Sequence, residues 1–231
     1  MSRIRTNMTA ELSAECSPTA IIDCDHERVD DFAHGVTMGK RTVREQAVRL
    51  YYAVRDGIRY DPYTIDLSVP GMRASSTLAS GRGWCVPKAV LLAACCRALD
   101  IPARVGFADV RNHLTTERLR RLMNTDIFYW HGYTSMLIER HWVKATPAFN
   151  IELCRRFHLK PLEFDGVSDS LYHPYDELGN AHMEYIRNRG EYSDVPLDRI
   201  AATFHRRHGP LLCLNNHDFN ADVKKERSAG K

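Results

Sequence analysis

What this chain lacks narrows its class. No apolar run approaches the roughly 20 residues that a membrane-spanning helix needs. The segment that follows Arg3 and Arg5 holds no leader-type apolar stretch. The reading is a chain with no membrane contact and a cytoplasmic location. The formal net charge is only +3, too slight a bias to argue for nucleic acid as a partner. Seven cysteines are an odd count at irregular spacing, which fits reduced thiols better than a disulfide framework. There is no CxxC, no HExxH and no acidic loop of calcium-binding type. The pair His205 and His208 could share a helix face, but no third ligand stands near it in sequence, so neither a metal nor a cofactor is expected. No internal repeat is visible. With 231 residues, 44% of them hydrophobic and 9% aromatic, one domain with an ordinary core is expected, and its oligomeric state is left open.

What is present is concentrated in Gly81-Arg82-Gly83-Trp84-Cys85-Val86-Pro87-Lys88. A cysteine follows a glycine-framed turn and opens an apolar run, Cys85 to Leu99, that reads as a buried helix. Unpaired N–H groups at a helix start favour the thiolate. Pro87 suits the first turn, and Gly81 and Gly83 leave room for a substrate beside the sulfur. The plainer reading is a core cysteine at the start of a core helix.

A second segment bears on that choice. Residues 130–138, Trp130-His131-Gly132-Tyr133 onward, read as a strand. A turn at Glu139-Arg140-His141 leads to a second strand, Trp142 to Thr146, stopped by Pro147. A cysteine at a helix start and a distant histidine on a strand are the two groups that thiol catalysis needs: the imidazole takes the thiol proton and later returns it to the leaving group.

These pieces together resemble the transglutaminase-like superfamily, whose core is papain-like. The matching residues are Val54-Arg55-Asp56-Gly57-Ile58-Arg59-Tyr60, then Gly83-Trp84-Cys85, Ile101-Pro102-Ala103-Arg104-Val105, Trp130-His131-Gly132-Tyr133 and the Trp142 hairpin, over residues 42 to 150. The resemblance implies an α+β fold with the nucleophile helix packed on an antiparallel sheet. It also implies an enzyme, a cysteine hydrolase or acyltransferase of peptidase or amidase type, closer to the compact bacterial form than to the larger calcium-dependent cross-linking enzymes. Cys85 would form a thioester, with His131 as base and then acid. The substrate would be a peptide or a small-molecule amide or ester, hydrolysis being favoured over amine transfer. Two alternatives stay open: a catalytically inert binding or scaffold module, and a specialised acyltransferase or isomerase of small-molecule metabolism.

One departure stands out. The family usually has Asp before the proline that ends the hairpin, and here the pair is Thr146-Pro147. A hydroxyl stabilises imidazolium far less than a carboxylate does. Thr146 and Asn150 are the first candidates for the third catalytic group, followed by Asp165 in the turn Phe164-Asp165-Gly166, with Asp109 as a further acid. Oxyanion donors would be the Cys85 N–H and either the Trp84 indole or Tyr60 or Tyr63. Trp130 and Arg111 join Trp84, Tyr60 and Tyr63 as expected substrate contacts. Arg111, Arg118, Arg120 and Arg121 offer two readings: a solvated helix face, or a wall selecting an anionic substrate.

The expected organisation is an N-terminal arm and extended segment (1–41), the catalytic core (42–150), a C-terminal extension (151–214) and a disordered tail (215–231). Ala20 to Asp23 reads as a short strand, and Asp61 to Arg82 as a long loop beside the site. The segment Asp169 to Glu184 reads as a polar loop holding His173, Asp176, His182 and Glu184.

Overall fold

The computed structural model describes residues 13–112, 116–208 and 218–229. Around its central helix, α1 (Glu27–Thr37), α2 (Val43–Gly57), α3 (Val69–Met72) and α4 (Ala74–Ser80) pack on one side and a four-stranded sheet on the other. The central helix, α5 (Cys85–Ala98), is buried from Cys85 to Arg97 on every face. That enclosure explains why its sequence is apolar all round rather than amphipathic. Val90, Leu91 and Leu92 are wholly buried, each contributing about 1.5–3 kcal/mol.

The sheet is antiparallel throughout, in the order β5-β4-β3-β6: β3 (Ala103–Asn112), β4 (Ile127–Ile138), β5 (His141–Ala145) and β6 (Met183–Tyr192). A two-residue parallel pair, β1 (Arg59–Tyr60) with β2 (Arg82–Gly83), sits before α5. The remaining helices are α6 (Glu117–Met123), α7 (Ile151–Phe157), α8 (Leu197–His208) and α9 (Phe219–Ala229). The α+β architecture is thus the one expected, with the nucleophile helix lying on the sheet.

Two charged side chains of α5 are buried, and each satisfies backbone carbonyls that would otherwise be orphaned. The Lys88 Nζ donates to the carbonyls of Arg55 (2.8 Å) and Ile58 at the end of α2, where a cation also suits the helix dipole. Arg97 donates to the carbonyls of Ala103, Ser17 and Ser193 and pairs with Glu15. The described part of the N-terminal arm is therefore fastened to the core, because Glu15 also takes a 2.8 Å bond from Arg104.

Several expectations need correction. Ala20 to Asp23 forms bends, not a strand. The presumed loop Asp61–Arg82 contains α3 and α4: the run Ala74-Ser75-Ser76-Thr77-Leu78-Ala79-Ser80 is helical because Ala74, Ser75 and Thr77 are buried and Gly81, at φ 63°, supplies the left-handed C-cap. In the region expected to be a disordered tail, α9 is folded, with Phe219 and Val223 on its buried face. Residues 1–12 and 209–217, including Cys213, lie outside the described residues, as does the His208 side chain. The six described cysteines are free thiols.

Candidate functional site

Three backbone devices bring Cys85 and His131 to one place. The first is the β1–β2 pair. The Arg59 N–H donates to the Gly81 carbonyl (2.9 Å) and the Asp61 N–H to that of Gly83 (3.0 Å), setting Tyr60 beside the Trp84-Cys85 step. The second is Gly132. A Cβ there would lie 2.9 Å from Val86 Cα and 3.3 Å from the Cys85 carbonyl, so only glycine lets β4 run this close to the first turn of α5.

The third is a bulge. Ala108 pairs with His131 but Val110 with Phe128, so β4 carries an extra residue just before the histidine. Trp130 absorbs it at φ 60°, a left-handed conformation that a large side chain rarely takes. The strain is held by neighbours. Asp109 accepts the Trp130 N–H (3.2 Å) and a two-pronged bond from Arg189 (2.5 and 2.8 Å). Arg189 lies 4.5 Å over the Trp130 ring, and the indole N–H donates to Thr203 (3.0 Å).

Cys85 and His131 are each 6% exposed and both line one narrow cleft. Its other walls are Tyr60, Pro62, Ile65, Trp84, Leu119, Met123, Phe128, Tyr129 and Phe204, none of them charged. The Trp84 indole N–H is buried without a partner, an available donor for a developing oxyanion. Tyr60 stays a neutral phenol, because burial first and then the Cys85 sulfur raise its hydroxyl well above the usual value.

The electrostatics differ from the expected thiolate. Burial pushes the Cys85 thiol up to about 11, although the N–H groups of Gly132, Val86 and Cys85 all pull it down. Desolvation at 6% exposure outweighs the helix start. The same desolvation, with His182 adding to it, lowers His131 to about 4. At neutral pH the resting pair is a thiol and a neutral imidazole.

The other expected site residues separate clearly. Thr146 lies behind His131: the two line a second cavity with His173 and His182. Asn150 is spent on Tyr60, whose N–H its Oδ1 accepts at 3.1 Å. Asp165 is exposed and holds its own turn through the N–H groups of Val167 and Ser168. Asp109 positions the bulge rather than the imidazole. Tyr63 donates its hydroxyl proton to Asp222 (2.9 Å), its oxygen accepts from the Thr116 hydroxyl (2.8 Å), and it does not line the cleft. Trp130 is a strut, not a wall.

Arg111 pairs with Asp126 and Glu184 outside the cleft, Arg118 with Asp222 and Arg121 with Glu117. Helix α6 turns Leu119 and Met123 to the cleft and its arginines outward, so no anion wall faces Cys85. The roles of Gly132 and of the Asp109–Arg189 pair were not legible, since each acts through a fold contact that spacing does not reveal; in the sequence Asp109 reads only as a candidate acid, and His182 only as one of the titratable groups of a polar loop. Among the described residues, no group of three His, Cys, Asp or Glu could hold a metal ion.

The family model of the transglutaminase-like superfamily matches residues 30–147, which spans Cys85, His131 and Thr146. The chain belongs to that superfamily. Two solved structures are similar to it. One is a "putative cysteine protease" from Cytophaga hutchinsonii, at 17% identity and TM-score 0.47, covering 78% of this chain and 46% of that one. The other is a "putative protease" from Parabacteroides distasonis, at 16% identity and TM-score 0.38, covering 58% of this chain and 26% of that one. This chain thus spans less than half the length of either. No curated protein matches it. No described helix is long and apolar enough to cross a membrane.

Proposed function

We propose that the protein is a thiol-dependent hydrolase of amides or esters with an apolar acyl portion. The observation that carries this reading is the cleft: it joins the helix-start thiol, the strand histidine and the unpartnered Trp84 N–H in one uncharged, water-poor space.

His131 takes the thiol proton as Sγ of Cys85 attacks the carbonyl carbon. The oxyanion forms against the Cys85 backbone N–H and the Trp84 indole N–H. The bond to the leaving amine or alcohol breaks as that group takes the proton from His131, leaving a thioester. Water then attacks the thioester carbonyl and gives a proton to His131. The C–S bond breaks, the acid departs and the proton returns to Sγ. Because the resting groups are neutral, His131 acts as a true general base rather than as half of a standing ion pair. An amine in place of water would give transfer by the same steps.

The test is a series of aryl esters and anilides of increasing acyl length, with intact-mass detection of the acyl-enzyme. The expected result is a Cys85 adduct that accumulates with esters, with kcat/KM rising with acyl length. Equal turnover by Cys85→Ala would overturn the reading. The inert-module alternative draws on one observation: the His131 Nε2 is buried with no partner. A Cys85 that forms no adduct with any of these esters would favour it.

A further inference from the structure

The cavity behind His131 is chemically unlike the cleft in front. It is lined by His131, Thr146, Phe149, Cys154, Leu159, Lys160, Tyr172, His173 and His182 among others, and by no carboxylate. Two of its buried lining residues carry a polar atom with no hydrogen-bond partner, His131 at Nε2 and Thr146 at Oγ1. Such atoms cost roughly 1–3 kcal/mol each when left unmade. The backbone of Thr146 is fully committed, its N–H to the Ser170 carbonyl (2.9 Å) and its carbonyl to the Tyr51 hydroxyl (3.3 Å), so the hydroxyl is fixed in place with nothing to bind. The half-exposed His173 and exposed Lys160 and Tyr172 form the outer part of the cavity, and the space between is narrow, fit for a guest of a few heavy atoms.

We infer that this cavity is a binding site for a small monocarboxylate of the size of formate, held by the His131 Nε2–H and the Thr146 hydroxyl. Both orphaned atoms donate to an anion at once, and every titratable side chain lining the cavity is neutral or cationic. A guest carboxylate favours the imidazolium form of His131, and so, on the catalytic reading above, strengthens the general base facing Cys85. The groups lining the two spaces that His131 borders that titrate or carry charge are Cys85 of α5, Tyr60 of β1, Tyr129 of β4, Cys154 of α7, Lys160, and Tyr172, His173 and His182 of the 169–184 segment. Asp176 lies beyond them, its carboxyl held below the usual range by the Asn180 side chain first and by His182 least. Its carboxylate is engaged by the N–H groups of Leu178 and Asn180 and does not line the cavity.

The experiment follows the His131 imidazole by ¹⁵N NMR from about pH 3 to about pH 7, a window that brackets its midpoint near 4, with sodium formate against sodium chloride at equal ionic strength. Formate is expected to raise the His131 midpoint saturably, by one pH unit or more. Thr146→Val, which keeps the shape of the side chain, is expected to weaken that response at least tenfold in formate concentration. Thr146→Asp is expected to raise the midpoint with no formate present and to abolish the response. No formate effect in the wild type, an equal effect of chloride, or an undiminished effect in Thr146→Val would each overturn the site. Binding is read here without turnover: formate that shifts His131 while Cys85 forms no acyl adduct would sink the hydrolase reading and leave the site standing.

Discussion

The two faces of His131 have been built to different standards. In front, the fold spends a glycine at Gly132, a strained residue at Trp130 and a buried ion pair between Asp109 and Arg189 to set the imidazole and the Cys85 thiol in one apolar cleft. Behind, the same ring borders a second cavity, apolar over much of its lining but holding two further histidines, where the His131 Nε2 and the Thr146 hydroxyl have no partner. Position is therefore supplied by backbone packing, which is rigid and indifferent to charge. Basicity is held down first by burial and stays open to whatever stands at the second nitrogen. On the proposed reading, such a domain holds Cys85 and His131 in register while leaving the strength of the base to a separate group.

Changes at the front should produce the largest effects. Cys85→Ala is expected to reduce acyl turnover by on the order of 10⁴-fold or more, since the covalent step has no substitute. Its melting curve should show a loss of only about 1 kcal/mol, because alanine suits a helix start. Retained burst-phase acylation would contradict this.

The second prediction concerns the ring itself. His131 titrates near 4 when folded and near 6.5 when unfolded, so between these values the unfolded chain binds more protons. Stability should then fall as pH drops from about 6.5 to about 4, by about 3 kcal/mol in all. Urea titrations across that window check it, and His131→Gln should remove most of the slope. An unchanged slope would place the acid sensitivity elsewhere.

Trp84→Phe tests the oxyanion donor alone, keeping the ring that packs 5.6 Å from Phe204. A loss of about 100-fold in kcat, with KM nearly constant, is expected. A loss confined to KM would make Trp84 a wall rather than a donor. Gly132→Ala should have the smallest effect, about 1–3 kcal/mol of stability from the clash with Val86. It should also slow Cys85 alkylation at neutral pH, because β4 must retreat from α5. Unaltered alkylation would show that the close approach of strand and helix does not matter to the pair.

The front of the site was legible in sequence because its parts are local. The Gly-Trp-Cys step, the helix it opens and the Trp-His-Gly strand each announce themselves within a few residues. The back was not legible. It is assembled from the end of β5, the start of α7 and the long segment before β6, and no spacing relates Thr146 to His182.

Strand β6 was missed because it is an edge strand with a largely exposed burial pattern, so its sequence, Met-Glu-Tyr-Ile-Arg-Asn-Arg-Gly-Glu-Tyr, looks like a polar loop. Its bulges near Asn188 further break the alternation. The tail was misjudged for a related reason. Composition made 215–231 look unfolded, but Phe219 and Val223, four apart on α9, bury against the core, where Phe219 meets the rings of Tyr60 and Tyr63. Two well-placed apolar residues outweighed a polar average. The thiol state was misread because a helix start says nothing of burial, and here burial decides.

The most direct test of the central claim, that Cys85 and His131 act as one unit, is the rate of Cys85 alkylation by iodoacetamide against pH. It would be followed by peptide mass spectrometry in the wild type and in His131→Gln. A coupled pair supplies a thiolate–imidazolium form whose share is constant above the His131 transition near pH 4, because transfer of the proton from sulfur to imidazole takes up none from solution, so the rate holds level there until free thiolate overtakes it on the way to the Cys85 transition near 11. The account predicts that plateau in the wild type and its replacement by a steady tenfold rise per pH unit in His131→Gln. The same steady rise in both proteins would mean that the two side chains share a cleft without sharing a proton, and would contradict the account.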